Sequence, residues 1–313
     1  MTTSVPNGMT PAETAALTRR VTLLSVGTAA VLMAMKLAVW LASGSVAVMA
    51  SMADSAMDLV ASLATFFAVR YAVVPPDREH RFGHGKAEAF ASLMQAGLVF
   101  ASAALIGREA VQRLVAPEPI AQEGWAIAVM IVATALTLGL VRAQTQVLKR
   151  TSSVAVSGDR AHYFSDLASN LVALVGIAGS AFLGINGLDA VAGLAIAALL
   201  VWGAINVFRE ASAQLMDKEL PEEARLQIVD LMTQDPRLTD VHQLRTRASG
   251  PFVHIQMHVD LDPELTLDAA HHVIVEAEKR LLAAFPSADI LIHADPRGRA
   301  EPHGGAFAEQ GGT

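Results

Sequence analysis

The sequence predicts an all-α, six-helix transmembrane domain followed by a small α+β domain with the element order α-β-β-α-β. First, 53% of the 313 residues are hydrophobic and only 17% are charged, whereas soluble domains average about 25% charged residues. Second, the chain up to Phe208 contains a series of long apolar segments, and after it the sequence becomes polar with shorter periodic segments. The net charge of −7 offers no basic surface for nucleic acid, so a nucleic-acid partner is not expected.

Six segments approach the length of about 20 residues that a helix needs to cross the hydrocarbon. Their only charged residues are Lys36, Asp54 and Asp58. The first segment is too long for a cleaved signal peptide, and five more follow it. The predicted spans are Val21–Leu41, Val46–Val69, Ala89–Gly107, Gly124–Val141, Leu167–Leu188 and Ala190–Phe208.

The basic residues between the spans predict the orientation. Ten Lys and Arg residues lie on the side of the N-terminus, whereas the opposite loops contain only Arg108 and Arg113. The positive-inside rule therefore places both termini in the cytoplasm.

The polar C-terminal part predicts a separate domain. Residues 252–261 alternate apolar and polar side chains, which is typical of a strand with one buried face. Predicted helices at Pro221–Gln234 and Leu267–Phe285, with strands at Val241–Ala248, Phe252–Leu261 and Asp289–His293, suggest a small open sheet covered on one face. We therefore expect an N-terminal segment at 1–18, a membrane domain at 19–210, a cytoplasmic domain at 211–297 and a disordered tail at 298–313.

Charged residues within or beside the spans are the strongest functional signal. A carboxylate at mid-membrane costs roughly 2.5–3.5 kcal/mol. Asp54 and Asp58 are spaced i, i+4 in the second span, and His162 and Asp166 have the same spacing at the start of the fifth. Each pair shares one helix face, and two such pairs can surround a divalent cation. The alternative interpretation is hydrogen bonding between helices by protonated carboxyl groups.

Two further clusters contain metal-binding residue types. The chain has no cysteine, so any metal must be held by His, Asp or Glu. Asp77, His80 and His84 occur in the connection after the second span, where a solvated polar loop is an equal alternative. His80 and His84 do not form the zinc-protease motif, because Arg81 replaces the required glutamate.

The C-terminal domain contains the third cluster. Histidines on the surface of a sheet are usually just solvated, and a metal site here would need residues from separate elements to converge. Its members are His242, His254, His258, His271, His272, His293 and Asp295.

These residues resemble the cation diffusion facilitator family, and most closely its bacterial zinc and ferrous-iron exporters. The resemblance covers about residues 15–297. It is carried by Ser43-Gly44-Ser45, Ala53-Asp54-Ser55 with Asp58, Phe82-Gly83-His84-Gly85-Lys86-Ala87-Glu88, His162-Tyr163-Phe164-Ser165-Asp166 with Asn170, Leu215-Met216-Asp217, His242 to Arg247, Ile255 to His258 and Ile292 to Pro296.

The resemblance implies three metal sites. Asp54, Asp58, His162 and Asp166 would form the transport site. Asp77, His80 and His84 would form a loop site. A metallochaperone-like cytoplasmic domain would hold two metal ions and help to form a homodimer, with His242, His258, His271, His293 and Asp295 as ligands.

The resemblance also implies a charge pair and leaves some roles open. Lys86 and Asp217 would pair across the dimer at the cytoplasmic side of the membrane. The choice of His271 over His272 depends on the register, and His254 has no role that the resemblance assigns.

The resemblance implies a zinc/proton antiporter of the bacterial inner membrane, a secondary active transporter rather than an enzyme. Zn²⁺ would be both transported and structural, and cadmium, ferrous iron and cobalt are compatible cargoes. Metal ligands must be deprotonated, so binding metal releases protons. The alternatives are a membrane metal sensor or assembly protein that does not transport, and an exporter selective for manganese or iron. A membrane zinc hydrolase would need an open coordination position at the metal, and four protein ligands leave none.

Overall fold

The computed structural model describes residues 8–43, 46–115, 124–178 and 188–299. The chain divides into a helical unit, Ala12–Met216, and a C-terminal unit that begins at Asp217. This boundary lies six residues after the expected end of the membrane domain at 210.

Within the described ranges, the helical unit contains six helices. They are α1 (Pro11–Ser43), α2 (Val46–Ala72), α3 (Ala87–Val115), α4 (Gly124–Leu148), α5 (Val154–Ala178) and α6 (Leu188–Leu215). Helix α1 begins with proline, which suits a first helical position because its missing N–H has no partner there. Residues 11–18 of the segment expected at 1–18 therefore belong to this helix.

Five of these helices, α1, α2, α3, α4 and α6, are long and apolar enough to cross a membrane within the described ranges. Helix α5 is not among them. It begins at Val154 rather than at Leu167, and its first turns contain Asp159 and Arg160. The expected fifth span, Leu167–Leu188, includes residues 179–187, which lie outside the described residues, and six spans remain a prediction.

Small residues allow close packing between helices, as is common in membranes. Helices α3 and α6 meet where Val99 and Ala103 pack with Leu200 and Ala204. A Cβ atom on Gly158 of α5 would lie 3.0 Å from the Cα atom of Ser92 in α3. Glycine at 158 therefore allows α5 to lie directly against α3, close to the part of α5 that carries His162.

The described part of the C-terminal unit, up to residue 299, is a three-stranded sheet with two helices. Its elements are α7 (Glu222–Thr233), β1 (Val241–Ser249), β2 (Phe252–Leu261), α8 (Leu267–Ala284) and β3 (Ala288–Pro296). Strand β2 is central, antiparallel to β1 and parallel to β3. The parallel connection runs through α8, whose N-terminus is capped by Thr266. Strand β3 is longer than the expected Asp289–His293 and includes Asp295.

The two faces of β2 differ in chemistry. Val253, Ile255, Met257 and Val259 are at most 2% exposed and pack in one core with residues of α7 and α8. The opposite face carries His258, which pairs with His242 of β1 and with His293 of β3. The register therefore aligns three histidines in a row across the sheet, away from the apolar core.

Candidate metal centres

The first candidate site lies between α2 and α5. The Nε2 atom of His162 lies 3.2 Å from Oδ1 of Asp58 and 3.9 Å from Oδ2 of Asp166. One ligand atom from each residue falls within 4.8 Å of the other two. His162 is only 5% exposed. One nitrogen and two carboxylate oxygens thus converge from two helices, which is a donor set suited to a divalent transition metal.

Asp54 precedes Asp58 by one turn on α2, but it is exposed and does not belong to this group of three. Near it, the Nζ atom of Lys36 in α1 donates to the carbonyl oxygen of Ser51, at 3.1 Å. The structure thus brings together three of the four predicted transport ligands. Asp54 stays a predicted ligand.

Tyr163 anchors the ligand-bearing part of α5. It is 1% exposed, and its hydroxyl lies 2.7 Å from Oγ of Ser62 in α2 and 3.1 Å from the carbonyl oxygen of Ser25 in α1. Because Tyr163 follows His162 directly, these bonds orient the helix that presents the imidazole to Asp58.

Asp159 is the centre of a buried polar network that sequence reasoning missed. It is fully buried. Its Oδ2 atom accepts hydrogen bonds from Oγ of Ser25 (2.6 Å) and Nε2 of Gln144 (2.8 Å), and its Oδ1 atom accepts one from Nε2 of Gln95 (3.2 Å). The donors come from α1, α4 and α3. The sequence does place a carboxylate about one turn before His162. Because the expected fifth span began only at Leu167, Asp159 was not expected to lie within a buried helix.

The second candidate site is the loop between α2 and α3. Oδ1 of Asp77 lies 3.4 Å from Nδ1 of His80, and its Oδ2 lies 3.3 Å from Nε2 of His84. The three residues form one group of converging ligand atoms. Gly83 adopts a φ of +81°, a conformation that favours glycine, and so permits the turn that places His84 beside Asp77.

Backbone donors hold the carboxylate of this loop in its charged form. The N–H groups of His80 and Glu79 donate to Oδ1 of Asp77, at 2.6 and 2.9 Å. The bond from His80 is the main reason that the pKa of Asp77 is below its ordinary value. The loop thus presents an ionised carboxylate next to two imidazoles.

The third candidate site lies on the sheet of the C-terminal unit. Oδ2 of Asp295 lies 2.9 Å from Nδ1 of His258 and 3.3 Å from Nε2 of His242, and these residues form one group. Its Oδ1 lies 3.4 Å from Nε2 of His293, whose ring is 4.6 Å from that of His258. Burial raises the pKa of Asp295, but the bond from His258 and the nearby imidazoles outweigh it and leave the pKa below its ordinary value.

The other histidines of this unit lie elsewhere. His271 and His272 are exposed on α8 and belong to none of the described groups. His272 faces Asp268 of the same helix, at 3.8 Å. His254 lies 3.1 Å from Asp289, and burial lowers its pKa. The structure therefore brings together four of the five predicted ligands, and the choice between His271 and His272 stays a prediction.

The predicted charge pair joins two chains. The Nζ atom of Lys86 donates to the carbonyl oxygen of Leu215, at 3.3 Å. Asp217 has a φ of +53° and lies 3.3 Å from Arg247. Pairing of Lys86 with Asp217 across a dimer stays a prediction.

Comparisons with known proteins agree with this two-part organisation. Residues 22–216 match the family model described as the cation efflux transmembrane domain, and residues 220–297 match that of the cytoplasmic domain of cation efflux proteins. The chain is 40% identical to the cation-efflux pump FieF of Yersinia enterocolitica serotype O:8, over 86% of this chain and 89% of that protein. It is 39% identical to FieF of Serratia proteamaculans, over 90% and 94%.

The chain is also similar to shorter solved structures. A structure of CzrB, described as a candidate zinc transporter, in its zinc form is 30% identical and has a TM-score of 0.26. The match covers 27% of this chain and 98% of that one.

Proposed function

The chain belongs to the cation efflux family, and from that premise we propose that it exchanges cytoplasmic zinc for protons across the bacterial inner membrane as a homodimer. Family membership makes it a multi-pass membrane protein that exports divalent metal cations, and a transporter rather than an enzyme. Zinc as the cargo, protons as the counter-ion and the dimer are the parts that we propose. Cadmium, ferrous iron and cobalt are further proposed cargoes.

The observation that carries the proposal is the convergence of Asp58, His162 and Asp166 between two helices. Carboxylates within a membrane are energetically costly and usually functional. A divalent cation held between the two carboxylates would offset their negative charge, and the imidazole nitrogen favours zinc over magnesium or calcium. We propose Asp54 as the fourth ligand, because it lies one turn from Asp58 on the same helix.

Proton exchange follows from the chemistry of these ligands. Each must be deprotonated to bind metal, so metal and protons compete for one site. Histidine has an ordinary pKa of about 6.5 and changes its charge close to neutral pH. In our proposal His162 takes up a proton when the metal leaves. If the site opens alternately to each side, metal leaves the cytoplasm as protons enter.

The two other groups serve the transporter without conducting metal through the membrane. We propose that Asp77, His80 and His84 bind metal at the loop. In the cytoplasmic domain, His242, His258, His293 and Asp295 form most of a two-metal site that His271 completes. This domain supports dimerisation, together with the Lys86–Asp217 pair. Because it lies outside the membrane, we expect metal bound there to affect regulation.

A flux assay tests the proposal. Purified protein is reconstituted into proteoliposomes that contain a metal-sensitive dye and a pH indicator, and zinc, ferrous iron, cadmium and manganese are added in parallel. We expect zinc to move and protons to move in the opposite direction. Zinc binding without flux above protein-free vesicles would indicate a sensor, and flux of manganese alone would contradict the choice of metal.

A further inference from the structure

A groove with a volume of about 460 Å³ lies between one face of α1 and the C-terminal end of α4. Arg20, Val21 and Leu24 line it from α1, and Val147, Lys149 and Arg150 line it from the other side. Arg20 and Leu24 are spaced i, i+4 on α1, and Ala143 and Val147 are spaced i, i+4 on α4. Each helix therefore presents one continuous face to the same space.

Three cations lie at one end of this groove. Arg20, Lys149 and Arg150 are all exposed, and no lining residue is acidic. In the ranges that the structure describes, no carboxylate forms an ion pair with any of the three. Their charge is therefore available to an anion from outside the protein.

Away from the cations, Leu24 and Ala143 line the groove. Nε2 of Gln144 in α4 donates to Oγ of Ser25 in α1, at 3.2 Å. These two residues adjoin Ala143 and Leu24, which both line the groove. The hydrogen bond thus joins the two helices at the apolar end, while the cations lie at the polar ends of the two spans. Such a site fits a molecule with an anionic head and an apolar tail.

We propose that this groove binds an anionic phospholipid, with its phosphate beside Arg20, Lys149 and Arg150 and an acyl chain along Val21 and Leu24. Basic residues near a membrane surface attract anionic lipid by about 1 kcal/mol each. The site is independent of the metal sites and of the proposed antiport.

Basic residues at the ends of spans also occur for topological reasons, under the positive-inside rule. That rule accounts for the presence of basic residues at these ends. It does not explain why cations from both sides line the same groove. Arg142 and Arg70 provide the comparison, because they are exposed cations at the ends of α4 and α2 that do not line it. If only the net charge matters, neutralising Arg70 and Arg142 should weaken lipid binding as much as neutralising two cations of the groove.

The experiment measures lipid binding to the full-length protein in a neutral detergent. Phosphatidylglycerol and phosphatidylcholine are titrated separately, and bound lipid is counted by native mass spectrometry. We expect a preference for phosphatidylglycerol that the R20Q/R150Q variant weakens by about fivefold for each cation, or roughly 25-fold in all. The R70Q/R142Q variant should retain the preference. Circular dichroism verifies that both variants are folded.

Two further lipid-binding measurements complete the test. L24W fills the apolar end without changing charge and should also weaken binding, which provides a test if the charge variants fail to fold. Inorganic phosphate in excess should not remove the lipid. Equal binding of both lipids, equal losses in the two charge variants, or displacement by inorganic phosphate would each overturn the proposal. No outcome depends on metal transport.

Discussion

The Nε2 atom of His162 lies 3.2 Å from Oδ1 of Asp58, although 104 positions of sequence separate the two residues. This contact joins α5 to α2 and brings Asp166 into the same group. Two i, i+4 pairs can be found in the sequence, but their proximity depends on how α2 and α5 pack. The pairing gives the proposed transport site its one nitrogen donor.

Replacing that nitrogen should change the metal preference. His162→Asp makes an all-oxygen site, which suits manganese better than zinc or cadmium. It also removes the group whose ordinary pKa lies near neutrality, so the pH dependence of flux should change. Competition between zinc and manganese in proteoliposomes over roughly pH 5.5–8 measures both effects.

Asn170→Asp is the control for this variant, because it adds a carboxylate to the next turn of α5 and leaves the imidazole in place. We expect it to change metal preference less than His162→Asp does. If His162→Asp keeps the metal ranking and the pH profile of the parent protein, His162 is not a ligand.

Removing the Asp159 carboxylate should destabilise the helical unit. Asp159→Ala removes the acceptor that Ser25, Gln95 and Gln144 share and leaves them only their other partners. Each lost hydrogen bond contributes about 0.5–1.5 kcal/mol. Thermal unfolding in detergent should show a clear loss of stability. Ser169→Ala is the control, since its hydroxyl donates to the carbonyl oxygen of Ser165 in its own helix. Equal stability of the two variants would mean that the network contributes nothing.

Zinc should stabilise the C-terminal unit by mass action, by about 2.7 kcal/mol at a free concentration of 100 times the Kd. The melting temperature of the fragment from residue 211 should therefore rise with zinc, and His258→Ala should abolish the increase. His254→Ala provides the matched control, because His254 lies on the same strand but outside the group. No increase for the unchanged fragment would indicate that the cluster is a solvated sheet face.

Acid should destabilise the C-terminal unit through one carboxyl group, that of Asp235. A hydrogen bond from the side chain of Arg237 lowers the pKa of Asp235 to about 2. A lowered carboxyl pKa stabilises the folded state above the unfolded pKa of about 4, and this contribution is lost as the pH falls to about 2. It amounts to at most about 2 kcal/mol, and less because solvent screens the half-exposed Arg237.

Unfolding of this unit by urea between pH 2 and 5 measures that contribution. We expect Arg237→Ala to flatten the pH dependence that Asp235 causes and Arg225→Ala to retain it, because the ion pairs of Arg225 are with Glu222 and Glu219. Parallel curves for the Arg237→Ala variant and the parent protein would show that Arg237 does not lower the pKa of Asp235.

The parts of the fold that follow from local periodicity could be predicted. Strand β2 has the expected bounds, Phe252–Leu261, because alternation along a strand directly reflects its two faces. The start of α5 could not be predicted, because Asp159 looks like a loop residue until its three buried donors are known. The position of His271 relative to the sheet depends on how α8 packs. The spacing of residues along the chain does not determine that packing.

The most direct test of the central claim is zinc flux through the Asp58→Ala and His162→Ala variants in proteoliposomes. Phe164→Ala serves as the control, because Phe164 is an exposed residue on the same helix. We expect both ligand variants to insert, to dimerise and to carry no zinc, while Phe164→Ala transports at the rate of the parent protein. Normal zinc flux in either ligand variant would contradict the assignment of the transport site to α2 and α5.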